Sequence, residues 1–251
     1  MIPRVVHFIF GLRPDFGGKP FSAIHWAAVE SAARHLKPNK IRLYCANRPF
    51  GAWWERCRQL VEVIDIVAPD RIFGNELKYA AHKTDLLRLA VLNEQGGIYL
   101  DLDVLVVAPF PDCLFEHKFV MGTETGIGLC NAVIMAQPNS AFGRRWLETF
   151  VKFDGADWNQ HAVRIPGKLA ESAKPGEIEI LPSHTFFEPM YDAAGLDQLF
   201  LKSTIQHRGA LAHHLWESFS WPKFNLGEMT EQDILTGSGL FHLEARKYLK
   251  P

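Results

Sequence analysis

The amino-acid sequence predicts a layered α/β fold with a mostly parallel central sheet. Strand-like and helix-like segments alternate over residues 2–107, the first segment has the apolar composition of a buried strand, and no internal repeat is present. Alternation of strands with helices is typical of βαβ units, whose strands run parallel. The length of 251 residues suits one large domain.

Three apolar runs predict the strands of the first half. Residues 2–10 form a β-branched and aromatic run closed by Gly11. Residues 41–46 form the second run, and residues 61–68 form the third, which Pro69 ends. Short runs of this composition between turn formers are characteristic of strands.

Helical spacing of apolar residues predicts three helices between these strands. The first covers residues 21–35 and ends before Pro38, and the second covers residues 50–60. The third and longest covers residues 77–95. Gly96 follows it and favours a helix end, because glycine tolerates the left-handed conformation required there.

Residues 96–107 predict a further strand that carries two carboxylates, Asp101 and Asp103, among apolar neighbours. Strand side chains alternate between faces, so both carboxylates point the same way with their roots about 6–7 Å apart. At an effective dielectric near ~20, the two charges repel by roughly 2–3 kcal/mol. We therefore expect a cation at this pair, and a divalent metal that carries a phosphate is the simplest candidate.

The pattern is looser after Pro111. The sequence predicts one helix, residues 141–153, and four short strands, residues 119–122, 131–136, 178–181 and 211–215. No linker marks a boundary, so we expect a single domain over residues 1–251. Residues 1–110 are expected to carry nucleotide chemistry, and residues 111–251 the substrate-specific loops.

Composition narrows the classes of function. The chain is 47% hydrophobic and 22% charged with a net charge of −1, and it lacks the basic character expected of a nucleic-acid-binding protein. Its apolar runs are too short to cross a bilayer, and its first residues lack the layout of a signal peptide. Four cysteines without C-x-x-C spacing favour thiols in a reducing compartment. We expect a cytoplasmic protein without a nucleic-acid partner; peripheral membrane contact stays open, and the oligomeric state is not indicated.

Asp85 and Arg88 are the only charged residues within residues 84–93 of the longest predicted helix. At this i,i+3 spacing they could form a surface salt bridge. The apolar neighbours on nearly all sides instead indicate burial. A buried ion pair needs further polar partners, which a polar ligand beside the two aspartates would provide.

Three interpretations of Asp101 and Asp103 compete. They could be strand-end carboxylates that reach solvent. They could belong to a haloacid-dehalogenase-like phosphatase with Asp101 as nucleophile, although that fold places this strand first and requires a later Gly-Asp-x-x-x-Asp cluster that is missing here. Finally, they could hold a metal that binds the diphosphate of a sugar nucleotide, since hard cations prefer oxygen ligands and neutralise a diphosphate leaving group.

Three segments, residues 2–11, 82–88 and 96–103, together resemble glycosyltransferase family 32. This group has a DXD-containing sugar-binding region; it includes Golgi mannosyltransferases and capsular polysaccharide glycosyltransferases and is related to the large glucosylating toxins. The resemblance implies a GT-A fold and a bound Mn²⁺ or Mg²⁺. It also implies retaining transfer of a hexose from a UDP-sugar or GDP-sugar to a glycan, lipid or protein acceptor, in surface polysaccharide synthesis.

The resemblance implies roles for individual residues. Asp103 corresponds to the direct metal ligand, and Asp101 to the residue that contacts the ribose and sugar and touches the metal directly or through water. Asp85 corresponds to the residue that holds donor-sugar hydroxyls, and Arg88 to one near the diphosphate. Asn131 resembles the family's Asn at the sugar and acceptor, although an Asn that closes a loop before a strand is the structural alternative.

The first strand and the carboxyl-terminal region add two further predicted sites. The first strand is similar to the family's base-binding edge, which here comprises His7, Phe8, Ile9, Phe10 and Gly11. The family usually has Trp where this chain has Phe10.

Residues 212–221 resemble the family's His…Ser-Trp segment, in which one His often completes the metal or diphosphate site. We assign His214 to the metal by its spacing to Trp221, which we place at the nucleotide. His213, Glu217 and Ser220 stay open as alternatives. A sugar-nucleotide-binding protein without turnover also stays open, and an activity assay would separate it from a transferase and a phosphatase.

Overall fold

The computed structural model describes residues 1–157, 159–204 and 209–249. Its strands, in chain order, are β1 (Val5–Phe10), β2 (Lys40–Cys45), β3 (Glu62–Asp65), β4 (Arg71–Ile72), β5 (Asn75–Glu76), β6 (Gly97–Leu100), β7 (Val104–Val106), β8 (Phe119–Glu124), β9 (Gly128–Ala136), β10 (Glu179–Leu181) and β11 (Ala212–His214). Its α-helices are α1 (Ala23–Leu36), α2 (Ala52–Cys57), α3 (Ala80–Gln95), α4 (Ala141–Glu148), α5 (Ile165–Glu171), α6 (Ala193–Phe200), α7 (Glu217–Phe224), α8 (Glu231–Thr236) and α9 (Leu240–Leu249).

Seven strands form the central sheet in the order β10-β8-β9-β6-β1-β2-β3. All neighbouring pairs are parallel except those of β9, which runs antiparallel to both β6 and β8. Outside this sheet, β7 pairs with β11 and β4 pairs with β5. The predicted α/β fold with a mostly parallel sheet is therefore confirmed.

The sheet separates two hydrophobic cores. Phe8 of β1 packs into one core with α1, α9 and Trp26, whereas its neighbour Ile9 packs into the other with α3, α4 and Trp146. Successive strand residues point to opposite faces of a sheet, so a run that is apolar throughout buries both faces. This arrangement gives three layers, helix, sheet and helix.

Local signals explain the ends of the two long helices. The Ser22 amide N–H donates to Nδ1 of His25 at the start of α1 (3.0 Å), which provides a partner for a backbone group that the helix leaves unpaired. Helix α3 ends at Gly96, whose φ of 64° is readily adopted by glycine.

The expected single strand over residues 96–107 is wrong. The structure has two strands there, β6 in the central sheet and β7 in the small sheet with β11. Asp101, Leu102 and Asp103 form a turn between them, in which the Val104 N–H donates to the Asp101 carbonyl (3.0 Å). The chain turns because β7 pairs with β11, a strand more than 100 residues later, and this partner is invisible to local periodicity.

The second half contains more helix than the sequence predicts. The sequence predicts no helix after residue 153, where the structure has α5 to α9, and the predicted helix 141–153 ends as α4 at Glu148, followed by a 3₁₀ turn (Thr149–Lys152). Most of these helices have six to eight residues, too few for a clear apolar period, so their packing against the rest of the molecule stabilises them. Cys45, Cys57 and Cys130 are buried free thiols, and Cys113 is exposed. Within the described residues, no helix combines the length and apolarity needed to span a membrane.

Candidate active site

A cleft of about 710 Å³ opens beside the carboxyl ends of the parallel strands β1 and β6. This edge of a parallel sheet is where α/β proteins commonly bind ligands. The residues predicted from the sequence that line the cleft are Ile9, Phe10, Gly11, Asp85, Arg88, Asp101, Asp103, Asn131 and His214, together with Glu217, which the sequence left open as an alternative.

Two glycines make the close connection between helix α3 and strand β6, and the turn with Asp101 and Asp103 follows the far end of β6. Gly97 has a φ of 112°, and a Cβ there would lie 2.6 Å from the Val5 carbonyl oxygen. A Cβ on Gly96 would lie 2.8 Å from the Ala136 carbonyl oxygen. Only glycine lets α3 pass so close to the sheet and lets β6 start immediately after it.

Asp103 is held by the carboxyl-terminal segment. Its Oδ2 lies 3.1 Å from Nε2 of His214 and accepts the Glu217 backbone N–H (2.7 Å). Burial opposes ionisation of Asp103, but the charge and hydrogen bond of His214 and the Glu217 amide outweigh it and lower the pKa of Asp103 to about 2. Burial likewise opposes protonation of His214, yet Asp103 raises the pKa of this imidazole above its usual value.

Asp101, Asp103 and His214 each offer one ligand atom, and these atoms lie within 4.8 Å of one another. Ligands bound at about 2.1–2.5 Å from one ion are at most about 5 Å apart. The two carboxylates are oxygen ligands of the kind that Mg²⁺ and Mn²⁺ prefer, and the imidazole is a ligand typical of transition metals, so the complete set suits Mn²⁺ better than Mg²⁺. The three residues thus fit a single divalent cation.

Asp101 is the most exposed member of this group, with 25% of its side chain accessible. Its Oδ1 accepts the Tyr99 hydroxyl proton (2.6 Å) and lies 3.2 Å from Nη1 of Arg88. The inner side of the carboxylate is therefore occupied by protein groups, whereas its outer side faces the cleft.

Arg88 connects Asp101 to the long helix. Its guanidinium also lies 3.2 Å from Oδ1 of Asp85, donates to the Asn131 carbonyl (2.7 Å) and stacks over the Tyr99 ring (4.6 Å). Burial opposes its charge, but Asp101 and the other nearby groups outweigh this and raise the pKa of Arg88. The expected burial of the Asp85–Arg88 pair is what the structure has, and Arg88 shares its charge between two carboxylates.

Asp85 lies on the wall of the same cleft and is 5% exposed. The Asn131 side-chain amide donates to its Oδ1 (2.8 Å). Burial raises the pKa of Asp85 to about 6, although Arg88 and Asn131 act in the opposite direction. A carboxylate with this little solvation can accept hydrogen bonds from hydroxyl groups of a ligand.

The predicted base-binding edge reaches the cleft only in part. Ile9, Phe10 and Gly11 line it, whereas the side chains of His7 and Phe8 are completely buried behind it. His7 lies 2.9 Å from the Gly96 carbonyl oxygen through Nε2, and burial lowers its pKa to about 4. This placement does not support direct donor contact by the side chains of His7 and Phe8.

The carboxyl-terminal segment distinguishes between its two histidines. His213 and His214 are neighbours in β11 and point to opposite faces; His213 hydrogen-bonds the Glu188 carbonyl, while His214 contacts Asp103. The Ser220 hydroxyl donates to the Leu215 carbonyl (2.8 Å) and lies outside the cleft. The structure thus brings His214, and neither His213 nor Ser220, to the aspartates.

Glu217 and Trp221 lie in helix α7, and both contact His25. The Glu217 carboxylate accepts from Nε2 of His25 (3.0 Å) and lies 3.4 Å from the Lys19 ammonium, so it links α7 to the loop after β1. Trp221 packs beside the His25 ring (5.9 Å between centroids) and does not line the cleft. This placement does not support nucleotide contact by Trp221.

The cleft contains residues that the sequence interpretation missed, namely Lys19, His25, Glu124, Asn159, Tyr191 and Phe219. Glu124 had a detectable signal, because an acidic residue that ends an apolar strand is also what identified Asp101. Lys19, Asn159 and Tyr191 lie in loops and Phe219 in the short helix α7, where no period identifies a cleft-facing position. His25 lies in the first turn of α1, and its position there did not indicate a cleft.

The surroundings of Asp101 do not support the phosphatase interpretation. The strand before Asp101 is the fourth of seven across the sheet, after β1, β2 and β3 in the chain. Its carboxylate is engaged by Tyr99 and Arg88 rather than free for in-line attack.

Comparison with known proteins agrees with the family resemblance of the sequence motifs. A family described as "Glycosyltransferase sugar-binding region containing DXD motif" matches residues 38–120. Glucan organizing enzyme 1 of Cryptococcus neoformans var. grubii serotype A is 35% identical over 271 residues, an alignment that covers 100% of this chain and 72% of that protein.

Two solved structures share the fold. The apo form of the glycosyltransferase GlyE from Streptococcus pneumoniae TIGR4 superposes with a TM-score of 0.53 at 14% identity, over 99% of this chain and 63% of that one. The PaToxG glycosyltransferase superposes with a TM-score of 0.51 at 15% identity, over 98% and 87% of the two chains. The expected GT-A-type fold is thereby confirmed.

Proposed function

This chain belongs to the glycosyltransferase family with a DXD-containing sugar-binding region, and from that premise we propose a metal-dependent, retaining hexosyltransferase. Its donor is a UDP-sugar or a GDP-sugar, and its acceptor is a carbohydrate or a glycan-bearing lipid or protein. The relative named for glucan organisation supports a role in surface polysaccharide synthesis.

The convergence of Asp101, Asp103 and His214 carries this proposal. Their ligand atoms share a space that one cation can occupy, at the end of the strand beside the base-binding edge. When bound there, a divalent ion supplies positive charge next to the diphosphate leaving group. Asp103 stays ionised for this role because His214 and the Glu217 amide stabilise its charge.

The remaining residues orient the donor. Asp85 accepts hydrogen bonds from hydroxyls of the donor sugar, and Asn131 holds this carboxylate in place. Arg88 is committed to Asp85, Asp101 and the Asn131 carbonyl, so we assign it to positioning the two carboxylates. Lys19 also lines the cleft and lies 3.4 Å from the carboxylate of Glu217, whose backbone N–H donates to Asp103, so we assign Lys19 to a diphosphate contact.

The anomeric configuration is retained because the acceptor oxygen attacks the anomeric carbon on the same side from which the diphosphate leaves. The acceptor oxygen bonds to the anomeric carbon, the bond from that carbon to the phosphate oxygen breaks, and a leaving phosphate oxygen takes the proton. Asp85 and Asp101 are both paired with Arg88, which disfavours either as a covalent nucleophile. Proton NMR of the first product tests this: an α-linked donor should give an α-linked product, and a β-linked product would contradict retention.

A thermal-shift panel of sugar nucleotides, each with and without Mn²⁺, tests the whole proposal. A donor at 100 times its Kd should stabilise the fold by ~2.7 kcal/mol, which raises the Tm of a chain of this length by ~5–11 °C. The shift should require Mn²⁺. Absence of a shift with every UDP-sugar and GDP-sugar would overturn the proposal, and a shift without any transfer or donor hydrolysis would indicate a binding protein.

A further inference from the structure

Glu124 is a carboxylate in the cleft that the proposed donor site does not use. It ends strand β8, is 4% exposed and lies on the cleft wall. Burial raises its pKa, while a hydrogen bond from the Cys130 thiol and the charge of His214 act in the opposite direction. Among the described residues, no lysine, arginine or histidine forms a salt bridge with Glu124.

The burial of Glu124 in this environment destabilises the fold, so a contribution to stability does not explain this residue. Glutamate is rarely buried without a charged partner, and a thiol is a weak donor. Asp101 and Asp103 each have two strong partners, whereas Glu124 has one weak hydrogen-bond donor, this thiol, and otherwise only the charge of His214. A poorly satisfied carboxylate in a cleft indicates a ligand that completes its hydrogen bonding.

An aromatic pair lies beside Glu124. Tyr191 and Phe219 stack in parallel, with ring centroids 4.7 Å apart and planes inclined by 7°. Both line the cleft, and Phe219 is 51% exposed. Trp216 packs edge-on against Tyr191 (4.9 Å) and fixes the pair from behind.

Glu124 also connects this pair to the metal-binding group. Its charge acts on both His214 and Tyr191. Because all of these residues line one cleft, a ligand bound at Glu124 would lie near both the metal-binding group and the aromatic pair.

We propose that Glu124, Tyr191 and Phe219 form the acceptor subsite and that they bind a neutral sugar. The aromatic pair supports the apolar face of the sugar ring, and Glu124 accepts hydrogen bonds from its hydroxyls, a division of labour typical of ligand pockets with few polar groups. An acceptor with a carboxylate or phosphate near these hydroxyls is disfavoured, because Glu124 and the aspartates would repel it. This inference rests on the proposed transferase function.

Steady-state kinetics with a donor and a set of acceptors test the proposed acceptor subsite. The donor is the sugar nucleotide with the largest Mn²⁺-dependent thermal shift, and the acceptors are p-nitrophenyl glucoside, galactoside, mannoside and glucuronide. Loss of a hydrogen bond to a charged group costs about 10- to 100-fold. Glu124→Ala should lower transfer kcat/KM for the best neutral acceptor by this factor, mainly through KM. Hydrolysis of donor without acceptor should fall much less than transfer does, because that reaction does not use the acceptor subsite.

Two further variants keep the test decisive if Glu124→Ala folds poorly. Glu124→Gln retains an oxygen acceptor but not the charge, so it should lose less affinity for the neutral acceptor and accept the glucuronide better than wild type. Phe219→Ala removes an exposed ring and should raise the KM for the acceptor alone. Leu235→Ala, a comparably exposed apolar residue outside the cleft, is the matched control and should change nothing.

The possible outcomes distinguish a failure of the proposed acceptor subsite from a failure of the proposed transferase function. Unchanged acceptor kinetics in both Glu124→Ala and Phe219→Ala would overturn the acceptor subsite. Equal loss of donor hydrolysis and transfer in a folded Glu124→Ala would place Glu124 at the donor and would also overturn it. Failure of the wild type to bind or hydrolyse any donor would instead contradict the proposed function.

Discussion

Asp101 and Asp103 look equivalent in the sequence, but different partners hold them. Asp101 is bound by Tyr99 and Arg88 and keeps one side open to the cleft. Asp103 is bound by His214 and the Glu217 amide and is more deeply buried. We infer that Asp103 is the firmly positioned metal ligand, whereas Asp101 has an accessible side for the donor.

Asp103→Asn should therefore abolish the Mn²⁺-dependent part of donor binding, since an amide oxygen is a weaker ligand and carries no charge. Differential scanning fluorimetry with donor, with and without Mn²⁺, checks this: the variant should show a thermal shift that Mn²⁺ does not increase. Asp112→Asn, an exposed carboxylate paired with Arg4, is the control. A full Mn²⁺-dependent shift in Asp103→Asn would contradict the metal site.

The raised pKa of Asp85 predicts that replacing this carboxyl group preserves or increases stability but lowers activity. Because its pKa is raised from 3.8 to about 6, ionisation costs the folded protein up to about 3 kcal/mol. This cost is absent below pH 4 and complete above pH 6. Asp85→Asn should be at least as stable as wild type at pH 7.5, with a difference in Tm that disappears towards pH 4, and it should lose most transfer activity. A variant that is both less stable at pH 7.5 and fully active would contradict this account.

The lowered pKa of the buried His7 ring predicts that the folded protein loses stability as the pH falls. Its pKa falls from 6.5 in the unfolded chain to about 4 in the fold, so the unfolded state binds the proton more readily between these values. Stability from the neutral ring is complete above pH 6.5 and is lost as the pH falls through 4, by up to about 3 kcal/mol. Urea unfolding at pH 7.5 and 4.5 measures the loss, and His7→Asn should reduce it. An unchanged pH dependence in that variant would assign the effect to other groups.

At the scale of elements, the Gly96–Gly97 connection between α3 and β6 positions the site. A side chain at Gly97 meets the Val5 carbonyl and the His7 ring and must adopt a positive φ. Gly97→Ala should therefore lower the free energy of unfolding by about 2–4 kcal/mol, as urea unfolding would measure. Gly176→Ala also has a positive φ (74°) but has open space around the added Cβ, so it should cost only about 1 kcal/mol. Equal costs for the two variants would show that close packing at Gly97 is unimportant.

The elements that complete the site come from distant parts of the chain. Strand β11 pairs with β7 and thereby brings His214 to Asp103. Glu217, the first residue of α7, contacts His25 of α1 and Lys19 of the loop after β1. The cleft therefore depends on contacts between the last third of the chain and earlier segments.

At the scale of the whole molecule, the division into residues 1–110 and 111–251 does not correspond to separate bodies. Strand β9 of the second half lies between β6 and β8 in one continuous sheet, and His214 completes a ligand group with two residues of the first half. We therefore expect one cooperative unfolding transition, with coincident curves for far-UV and near-UV circular dichroism. Two separated transitions would contradict the single domain.

The sequence was sufficient for much of the fold and for most residues of the candidate site. Alternating strands and helices in the first half are encoded by local periodicity, so β1, β2, β3, α1 and α3 were predicted close to their observed bounds. The short helices α5 to α8 were missed because six to eight residues carry too little periodicity and form only when packed. His7, Phe8 and Trp221 were placed at the ligand because a motif gives residue positions but not the direction of each side chain.

By itself, the sequence determined the fold class and the family resemblance, because these depend on short-range patterns and motif order. It also predicted Asp85, Arg88, Asp101, Asp103 and Asn131 as site residues, and all five line one cleft. Only the tertiary structure decided that Asp101 and Asp103 lie in a turn, that His214 rather than His213 faces them, and that Glu124 enters the same cleft. Each of these depends on pairing between strands that are distant in the chain or on the side of a strand that faces the cleft. Such pairing is determined by the packing of the whole chain, and a local pattern does not encode it.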